Sequence, residues 1–391
     1  MTETSILLGA GFSVNKGYPT ANELNKRLTE LTEDDFWVAS DGTVLLKEKA
    51  EEDLNWFASD AKHKIFLVKL IKYYQEKTSG FNYEEFFDFY KNLKTEEKGT
   101  EFDRFCENFR KKFHNDTNNL NLISRINLIF NQLISIFIVD EDGQKFYESI
   151  HYSKPIYSGY TGFLNCLESW GNEDTTHIHT LNHDIFFETL SSSDWIQGNF
   201  SDGFEELGSK YYGGIEGNIK VRLSYFTNSY LENFRLYKLH GSFDQFPFHL
   251  RNSGIDTYVK IKLGIGTTEL YKEIENGEGG YKYVNDWMNY HPDFLSGTTS
   301  KILRYEEPYY YDKVFANFKK NLSHSNKLII IGYGCADSEI NKMIENNFNY
   351  KKYPVIIVDP YPTEEILLFS EKINAKIIEK TPDTLEIKDC E

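Results

Sequence analysis

Cysteine is scarce in this sequence and is never paired at short range. The 391-residue chain has four cysteines, which stand far apart at positions 106, 166, 335 and 390. Because there is no C-x-x-C pair, neither a redox dithiol nor a local four-thiolate zinc module can form. So few cysteines also exclude a disulfide-stapled scaffold, and free thiols are typical of the reducing cytoplasm. We therefore expect a cytoplasmic protein that binds no zinc.

An excess of basic charge is also missing. The chain has 60 Asp and Glu residues against 43 Lys and Arg, a formal net charge of −17. Nucleic-acid affinity depends mainly on basic side chains that neutralise phosphates. The charge balance therefore argues against a protein that binds DNA or RNA by itself, whereas a local basic groove or an indirect link through a partner stays open.

Targeting and membrane signals are not found either. The first 13 residues have no basic region and only the short apolar run Ile6–Leu8, which is not the pattern of a signal peptide. The most apolar later stretch, 120–139, contains Arg125 and Gln132, so we expect it to be too polar for a membrane span. Its apolar residues recur at steps of three and four, which predicts a core-facing helix. The residues predicted on its buried face are Ile126, Ile129, Leu133, Ile134 and Phe137.

Short apolar segments that alternate with helical patterns are what the sequence does contain. Segments of this kind predict a doubly wound, Rossmann-like parallel α/β sheet. The predicted strands are 4–8, 176–181, 235–239, 328–331, 355–358 and 375–378. Residues 36–149 are largely helical in pattern, which predicts a large helical insertion. The predicted core therefore comprises 1–35 and 150–391, with an irregular lobe at about 245–300.

Four of the predicted strands end in unusual residues, at 9–13, 182–184, 240–242 and 332–335. Ligands of open α/β sheets bind beyond the carboxyl ends of the strands. In the first of these loops, Gly9 and Gly11 would let the backbone approach a pyrophosphate. Val14 stands where a complete dinucleotide fingerprint has its third glycine. A tight turn without a ligand is the alternative.

The second and third loops contain polar side chains. Asn182 and Asp184 place an amide and a carboxylate at one strand end, where they can face one pocket or simply cap the next helix. His240 has the side chain best suited to proton transfer near neutral pH, but it is one of ten histidines. Each residue is therefore a candidate for chemistry with an ordinary structural alternative.

The fourth loop, Gly332-Tyr333-Gly334, is a second glycine turn after a strand, which can cradle a phosphate or a ribose. Asp359 follows the strand 355–358 and can hold ribose hydroxyls, or form an Asp-Pro turn. A metal site is not expected, because the nearby histidines have no acidic partner at ligand spacing. Those histidines are His177, His179 and His183.

In their order along the chain, these loops resemble those of the sirtuin-like NAD-binding domains. The matching residues are Gly9-Ala10-Gly11-Phe12-Ser13, Gly17-Tyr18-Pro19, Thr180 with Asn182 and Asp184, His240-Gly241, and Gly332-Tyr333-Gly334. The likeness covers about 1–35, 150–245 and 310–391. It is closer still to sirtuin-like domains of bacterial anti-phage systems. This second likeness rests on Asp202-Gly203-Phe204, on residues 238–242, and on Asp337, Ile340 and Asn341.

Two departures from the sirtuin pattern bear on activity. Protein-deacylating sirtuins carry a four-cysteine zinc module, which this chain does not supply, and their Asp-Phe-Arg is replaced by Thr20-Ala21-Asn22. The resemblance therefore implies an NAD hydrolase that cleaves the nicotinamide–ribose bond, with NAD as substrate, and not a deacetylase. In phage defence, depletion of NAD would halt the infected cell.

The resemblance also implies roles for individual residues. Asn182 would position water and the ribose, His240 would act as general base, and Asp184 would bind the nicotinamide carboxamide or stabilise the cation. The 9–13 loop would bind the pyrophosphate. Gly332–Gly334 and Asp359 would hold the adenosine half. The remaining residues of the predicted NAD site are Pro19, Thr180, His183, Gly241 and Asp337.

Partners follow from the same resemblance. Short sirtuin-like proteins of this kind are similar to those encoded beside a HerA-type hexameric ATPase, so we expect a homo-oligomer that docks such a motor in the bacterial cytoplasm. Two alternatives stay open: a module that senses NAD or ADP-ribose without turnover, and a nuclease subunit of the ATPase complex.

Overall fold

The structure is a computed structural model. The residues it describes are 3–39, 43–46, 60–92, 100–113, 119–138, 157–171, 175–191, 193, 195–196, 198–215, 219–261, 269–277, 279–285, 292–295, 302 and 304–391. The chain divides into two units. Unit 1 comprises Met1–Thr20, Val139–Phe294 and Arg304–Glu391, and unit 2 comprises Ala21–Ile138 and Leu295–Leu303. The boundary at Thr20 differs from the predicted one at residue 35.

The described elements are as follows. The strands are β1 (Glu3–Leu8), β2 (Phe36–Val38), β3 (Val44–Leu46), β4 (Thr175–Thr180), β5 (Phe200–Ser201), β6 (Phe204–Glu205), β7 (Tyr211–Ile215), β8 (Ile219–Arg222), β9 (Tyr225–Phe226), β10 (Phe234–Lys238), β11 (Gln245–Phe248), β12 (Thr257–Lys260), β13 (Leu270–Glu275), β14 (Tyr281–Val284), β15 (Lys327–Ile331), β16 (Val355–Val358) and β17 (Lys376–Ile378). The helices are α1 (Ala10–Ser13), α2 (Ala21–Glu30), α3 (Ala61–Lys77), α4 (Tyr83–Asn92), α5 (Glu101–Phe113), α6 (Asn119–Ile138), α7 (Thr161–Gly171), α8 (Phe186–Leu190), α9 (Tyr311–His324), α10 (Ser338–Asn347) and α11 (Glu364–Lys372).

A seven-stranded parallel sheet organises unit 1, in the order β17-β16-β15-β1-β4-β10-β5. Without the two-residue edge strand β5, the strands stand in the order 3-2-1-4-5-6 of the Rossmann fold. The chain leaves β1 toward β4 and β10, then returns to the other side of β1 with β15. The topological switch point therefore lies between β1 and β15. The predicted Rossmann-like α/β class is confirmed.

The six predicted strands of this sheet are all present, with ends displaced by at most one residue. β15 and β16 were the easiest to locate, because strands buried on both faces have nearly continuous apolar sequences. Leu328–Ile331 and Val355–Val358 are completely buried runs of this kind.

The prediction of an irregular lobe at about 245–300 is wrong for the part that the structure describes. This region contributes β11, β12, β13 and β14 to two antiparallel sheets, ordered β11-β12-β9-β6 and β14-β13-β7-β8. A buried cluster that includes Tyr211, Phe248 and Val259 supports them. Their pattern was hard to recognise because β13 and β14 mix charged residues with apolar ones. Only the pairing with β7, more than 50 residues away in sequence, completes the sheet.

Unit 2 contains helices α2 to α6 and the antiparallel pair β2–β3. This pair corrects the helical pattern predicted from residue 36 onward. Helix α6 includes a window, Asn121–Ile138, with mean hydropathy 1.3, which by length and composition is apolar enough to cross a membrane. However, 59% of that window is buried, and α6 packs against α3 and β3. All five residues predicted on its core-facing side are buried.

Candidate functional site

The two glycine turns meet at the switch point of the sheet. The Gly9 amide donates to the Ile331 carbonyl at 3.0 Å, and the Gly11 amide donates to the Gly332 carbonyl at 2.9 Å. A Cβ on Gly9 would lie 2.6 Å from the Gly332 oxygen. A Cβ on Gly332, where φ is +62°, would lie 2.2 Å from the Phe12 nitrogen. The close approach of the two backbones therefore requires glycine on both sides.

The 9–13 loop has an accessible side and a buried side. Ala10 and Gly11 are exposed, whereas Phe12 and Ser13 are buried. The Phe12 ring packs in an aromatic cluster, with centroid distances of 4.8–5.9 Å. The other members of the cluster are Tyr160, Phe163, Phe186 and Phe187. Phe12 therefore anchors the loop, and the backbone at Ala10 and Gly11 is the part that a ligand can reach.

A network of side chains joins this loop to the end of β4. The Asn182 Nδ2 group donates to the Gly9 carbonyl and to Ser13 Oγ, both at 2.9 Å. Because the Gly9 carbonyl can only accept, the amide nitrogen must face it, which fixes the orientation of the Asn182 side chain. Its carbonyl oxygen is therefore the atom left to accept a hydrogen bond from a ligand or water.

Asp184 holds the Ser13 hydroxyl that accepts from Asn182. Its Oδ2 accepts from Ser13 Oγ at 2.7 Å, and its Oδ1 accepts from the Phe186 amide at 2.9 Å. The carboxylate is buried. The Lys238 ammonium donates to the Asp184 backbone carbonyl. Both carboxylate oxygens are thus engaged inside the protein, and Oδ1 binds the amide of the first residue of α8.

His240 follows β10 and is buried. Its Nε2 lies 3.9 Å from Asp337 Oδ2, and its ring centroid lies 6.4 Å from that of His183. The next residue, Gly241, has a φ of +81°, and a Cβ there would lie 2.4 Å from the Asp293 carbonyl oxygen. A side chain does not fit at Gly241, and its positive φ favours glycine, so the turn after His240 requires this residue.

The other predicted residues of the second strand end support its backbone. Thr180 is buried, and its Oγ1 accepts from the Asn182 amide at 3.0 Å. The His183 carbonyl accepts from the Phe243 amide at 3.2 Å and from Ser242 Oγ at 3.1 Å. The loops after β4 and β10 are therefore bonded to each other.

The loop after β15 is braced by side chains at both of its ends. Asp337 Oδ1 accepts from the amides of Glu339 and Ile340 and so caps α10. The Tyr333 hydroxyl lies 3.0 Å from both the Asp337 carbonyl oxygen and Asn341 Oδ1. Burial raises the pKa of Tyr333 well above its usual range, so this hydroxyl stays a donor. The bracing explains how Asp337 comes to face His240.

Asp359 and Pro19 are the two remaining residues of the predicted NAD site. Asp359 Oδ1 accepts from the Tyr361 amide at 2.8 Å, which closes its own turn. Burial and, to a lesser extent, the Asp359 charge raise the pKa of Cys335 to about 12, so Asp359 lies near the fourth loop. Pro19 is half-buried just after Gly17, whose φ is +86°. Gly334 is exposed.

A buried charge cluster behind Asp184 was not found by sequence reasoning. Lys260 Nζ forms ion pairs with Asp202, with Glu188 at 3.2 Å and with Asp244 at 3.7 Å. Glu188 also lies 3.9 Å from Lys238 Nζ. Burial raises the pKa of Glu188, although the two lysines act to lower it. Lys260 was missed because it stands in the region predicted to be irregular.

Within the described ranges, no group of three or more His, Cys, Asp and Glu residues is arranged to hold a metal ion.

No protein-family model matches the chain, and no curated protein matches it. Solved structures of Sir2 homologues do match. An NAD complex of a Sir2 homologue is 9% identical, covers 99% of this chain and 88% of that chain, and has a TM-score of 0.35. A Sir2 bound to an acetylated peptide is 10% identical, covers 97% and 88%, and has a TM-score of 0.34. An ADP-ribose complex of a mutant Sir2 homologue is 9% identical, covers 99% and 90%, and has a TM-score of 0.34.

Proposed function

We propose that unit 1 binds NAD+ at the switch point between β1 and β15 and hydrolyses its nicotinamide–ribose bond. The observation that carries this proposal is the orientation of Asn182. Its amide nitrogen is bound to the glycine loop and to Ser13, so its carbonyl oxygen is held ready for a ligand. The ends of parallel strands beside a switch point are where open α/β sheets bind nucleotides.

Cleavage of this bond passes through an oxocarbenium-like state, as in other glycosidic cleavages. The bond from the anomeric carbon to the nicotinamide nitrogen breaks, nicotinamide leaves with the bonding electrons, and water attacks the same carbon. We assign to the Asn182 carbonyl oxygen the binding of that water or of a ribose hydroxyl. Its partial negative charge also favours the positive charge that develops on the sugar.

His240 follows β10, the strand next to β4, and is the proposed general base. The attacking water must lose a proton, and an imidazole is suited to take it near neutral pH.

Asp184 receives a positioning role in this proposal. Both of its carboxylate oxygens are bonded within the protein, to Ser13 and to the Phe186 amide. It therefore supports Asn182 through Ser13, in place of the contact with nicotinamide or the stabilisation of the cation that the resemblance implied.

We assign the pyrophosphate to the exposed backbone of Ala10 and Gly11, whose own side chains are a methyl group and a hydrogen atom. The adenosine half would extend toward Gly332 and Gly334 on the other side of the switch point, where Asp359 lies near the same loop.

The test is to incubate the protein with NAD+ and to quantify nicotinamide and ADP-ribose. A general base typically contributes about 10²–10⁴-fold, so Asn182→Ala and His240→Ala should each lower turnover by at least about 100-fold. Asn346→Ala and His324→Ala are matched controls, because both residues are exposed on helices and should leave turnover unchanged. Near wild-type turnover in a folded Asn182→Ala or His240→Ala variant would contradict the assignment.

The alternative is a module that binds NAD or ADP-ribose without turnover. The burial of His240 is the observation that favours it, because a buried base needs a path for water. Binding of NAD+ by calorimetry, without release of nicotinamide, would establish this alternative.

For the biological setting we propose anti-phage defence in the bacterial cytoplasm, on the basis of the sequence resemblance. NAD depletion would be controlled by homo-oligomerisation and by a HerA-type hexameric ATPase partner. Gel filtration with and without that ATPase, followed by the NAD assay, tests both proposals. A monomer that does not bind the ATPase would contradict them.

A further inference from the structure

We propose that Asp337 is a positioning residue that orients His240 and selects its tautomer. This inference rests on the proposed function of the same site. The two side chains come from different loops, one after β10 and one before α10, yet Nε2 of His240 and Oδ2 of Asp337 are 3.9 Å apart. Both side chains are largely buried, with 7% and 11% of their surface exposed.

The two oxygens of Asp337 have different partners. Oδ1 accepts from the Glu339 and Ile340 amides at 3.0 and 3.2 Å, at the N-terminus of the ten-residue helix α10. The positive end of the helix dipole favours a charged carboxylate at this position. Oδ2 is the oxygen that faces His240. One carboxylate can therefore cap α10 through Oδ1 and face the imidazole through Oδ2.

The backbone of Asp337 is held as firmly as its side chain. Its carbonyl oxygen lies 3.0 Å from the Tyr333 hydroxyl, which also lies 3.0 Å from Asn341 Oδ1. The side-chain Nδ2 group of Asn341 in turn donates to the Cys335 carbonyl at 2.8 Å. Since two amides hold the carboxylate and the Tyr333 hydroxyl contacts the backbone carbonyl, Asp337 can determine the orientation of the ring and not merely follow it.

The geometry points to one tautomer. An ionised carboxylate only accepts hydrogen bonds, so Asp337 favours the form of His240 with its proton on Nε2. Nδ1 is then the basic nitrogen that takes the proton from water or a ribose hydroxyl. The distance of 3.9 Å is longer than a hydrogen bond, as is common for catalytic pairs before substrate binds. A contraction of about 1 Å would complete the bond.

Asp337→Asn is the decisive variant. Asparagine is an equally good helix cap, and its single carbonyl oxygen would go to the amides of α10. Its NH₂ group would then face His240 Nε2 as a donor, which favours the opposite tautomer. We expect kcat for NAD cleavage to fall by at least about 100-fold while KM changes less than about threefold. His240 in ¹⁵N-histidine-labelled protein should change from an Nε2–H to an Nδ1–H tautomer in long-range ¹H–¹⁵N spectra, assigned by the signals lost in His240→Gln.

Asp383→Asn is the matched control. Asp383 Oδ1 accepts from the Thr161 amide at the start of α7, so this variant changes a cap of the same chemistry away from His240. It should alter neither kcat nor the His240 tautomer. An Nδ1–H tautomer in the wild type, or an Asp337→Asn variant with unchanged tautomer and kcat, would overturn the proposal.

The two proposals fail in different ways. If the wild type releases no nicotinamide but the tautomer changes in Asp337→Asn as expected, the NAD hydrolase proposal fails and the His240–Asp337 pair stands. If the wild type cleaves NAD and Asp337→Asn retains the wild-type tautomer and full kcat, the NAD hydrolase proposal stands and the positioning role of Asp337 fails.

Discussion

The parallel sheet and the antiparallel sheets of unit 1 place their charges in opposite ways. β15 and β16 are apolar along nearly their whole length, and the polar residues stand in the loops beyond the strand ends. By contrast, β12 carries Lys260 into the interior, where it meets three carboxylates. The parallel sheet thus positions the loops at its strand ends. The antiparallel sheet that contains β12 places a buried charge near the loop after β4, close to Lys238 and Asp184.

This difference shows that the candidate site depends on two kinds of stabilisation. The glycine turns at β1 and β15 depend on close backbone contact, which is a matter of shape. The loop after β4 depends also on buried ion pairs, in which removal of one partner leaves an uncompensated charge. Substitutions in the glycine turns and in the buried ion pairs should therefore measure the two kinds of stabilisation separately.

The largest effect on stability is expected from Lys260→Met. Breaking a buried ion pair by removing one partner costs about 3–5 kcal/mol in free energy of unfolding. Here three carboxylates would lose their shared cation, so we expect a loss in that range, measured by urea denaturation. Lys342→Ala removes an exposed pair with Glu339 and serves as the control, with no measurable change expected. Equal stability of Lys260→Met and wild type would show that the cluster contributes nothing.

A smaller effect is expected from Gly332→Ala. The added Cβ would collide with the Phe12 nitrogen, and the φ of +62° is unfavourable for alanine. We expect a loss of about 2 kcal/mol and weaker NAD binding, measured by thermal denaturation and calorimetry. In Gly334→Ala the Cβ meets no atom within 4 Å, so its melting temperature should match that of the wild type. If Gly332→Ala and Gly334→Ala have the same melting temperature, the close contact of the two loops is not required for stability.

The smallest effect concerns His177, a polar exception inside the parallel sheet. Burial lowers the pKa of His177 to about 4, from an ordinary 6.5, although Glu3 acts to raise it. Between these values the unfolded chain binds more protons than the folded one, so stability falls as the pH drops through 6.5 toward 4. Between pH 7 and pH 5.5, protonation of His177 in the unfolded chain should lower the free energy of unfolding by about 1 kcal/mol.

His177→Gln removes this titration while keeping a hydrogen-bonding side chain. Its free energy of unfolding should therefore decline less between pH 7 and 5.5 than that of the wild type. His324 is exposed at the end of α9, and His324→Gln should retain the wild-type slope. Identical slopes for His177→Gln and wild type would contradict the assignment.

β1, β15 and β16 were predictable because each ends in a short apolar run followed by glycine or a polar turn, whereas β4 and β10 mix polar with apolar residues. Ile329-Ile330-Ile331 before Gly332 is an example, in which local composition alone indicates a buried strand and its end. The antiparallel strands were not predictable in this way. β13 and β14 alternate imperfectly, and their stability comes from pairing with β7 and with each other.

The candidate site shows the same division. Gly9, Asn182, His240 and Gly332 were recognisable because the carboxyl ends of parallel strands must meet at one edge. Their mutual contacts were not, since Asn182 and Ser13 are 169 residues apart in the chain and Asp184 and Ser13 are 171 apart. Sequence spacing carries no information on which of these side chains bonds to which.

The sequence by itself thus determined the class of fold and the loops where a nucleotide would bind, because both depend on local runs of apolar residues and glycine. Only the tertiary structure decided which atoms remain for chemistry. It turned the Asn182 nitrogen inward, engaged both oxygens of Asp184, and brought one oxygen of Asp337 to His240. The reason is that hydrogen bonds and ion pairs are directional and short, so they depend on how distant segments pack and not on their order along the chain.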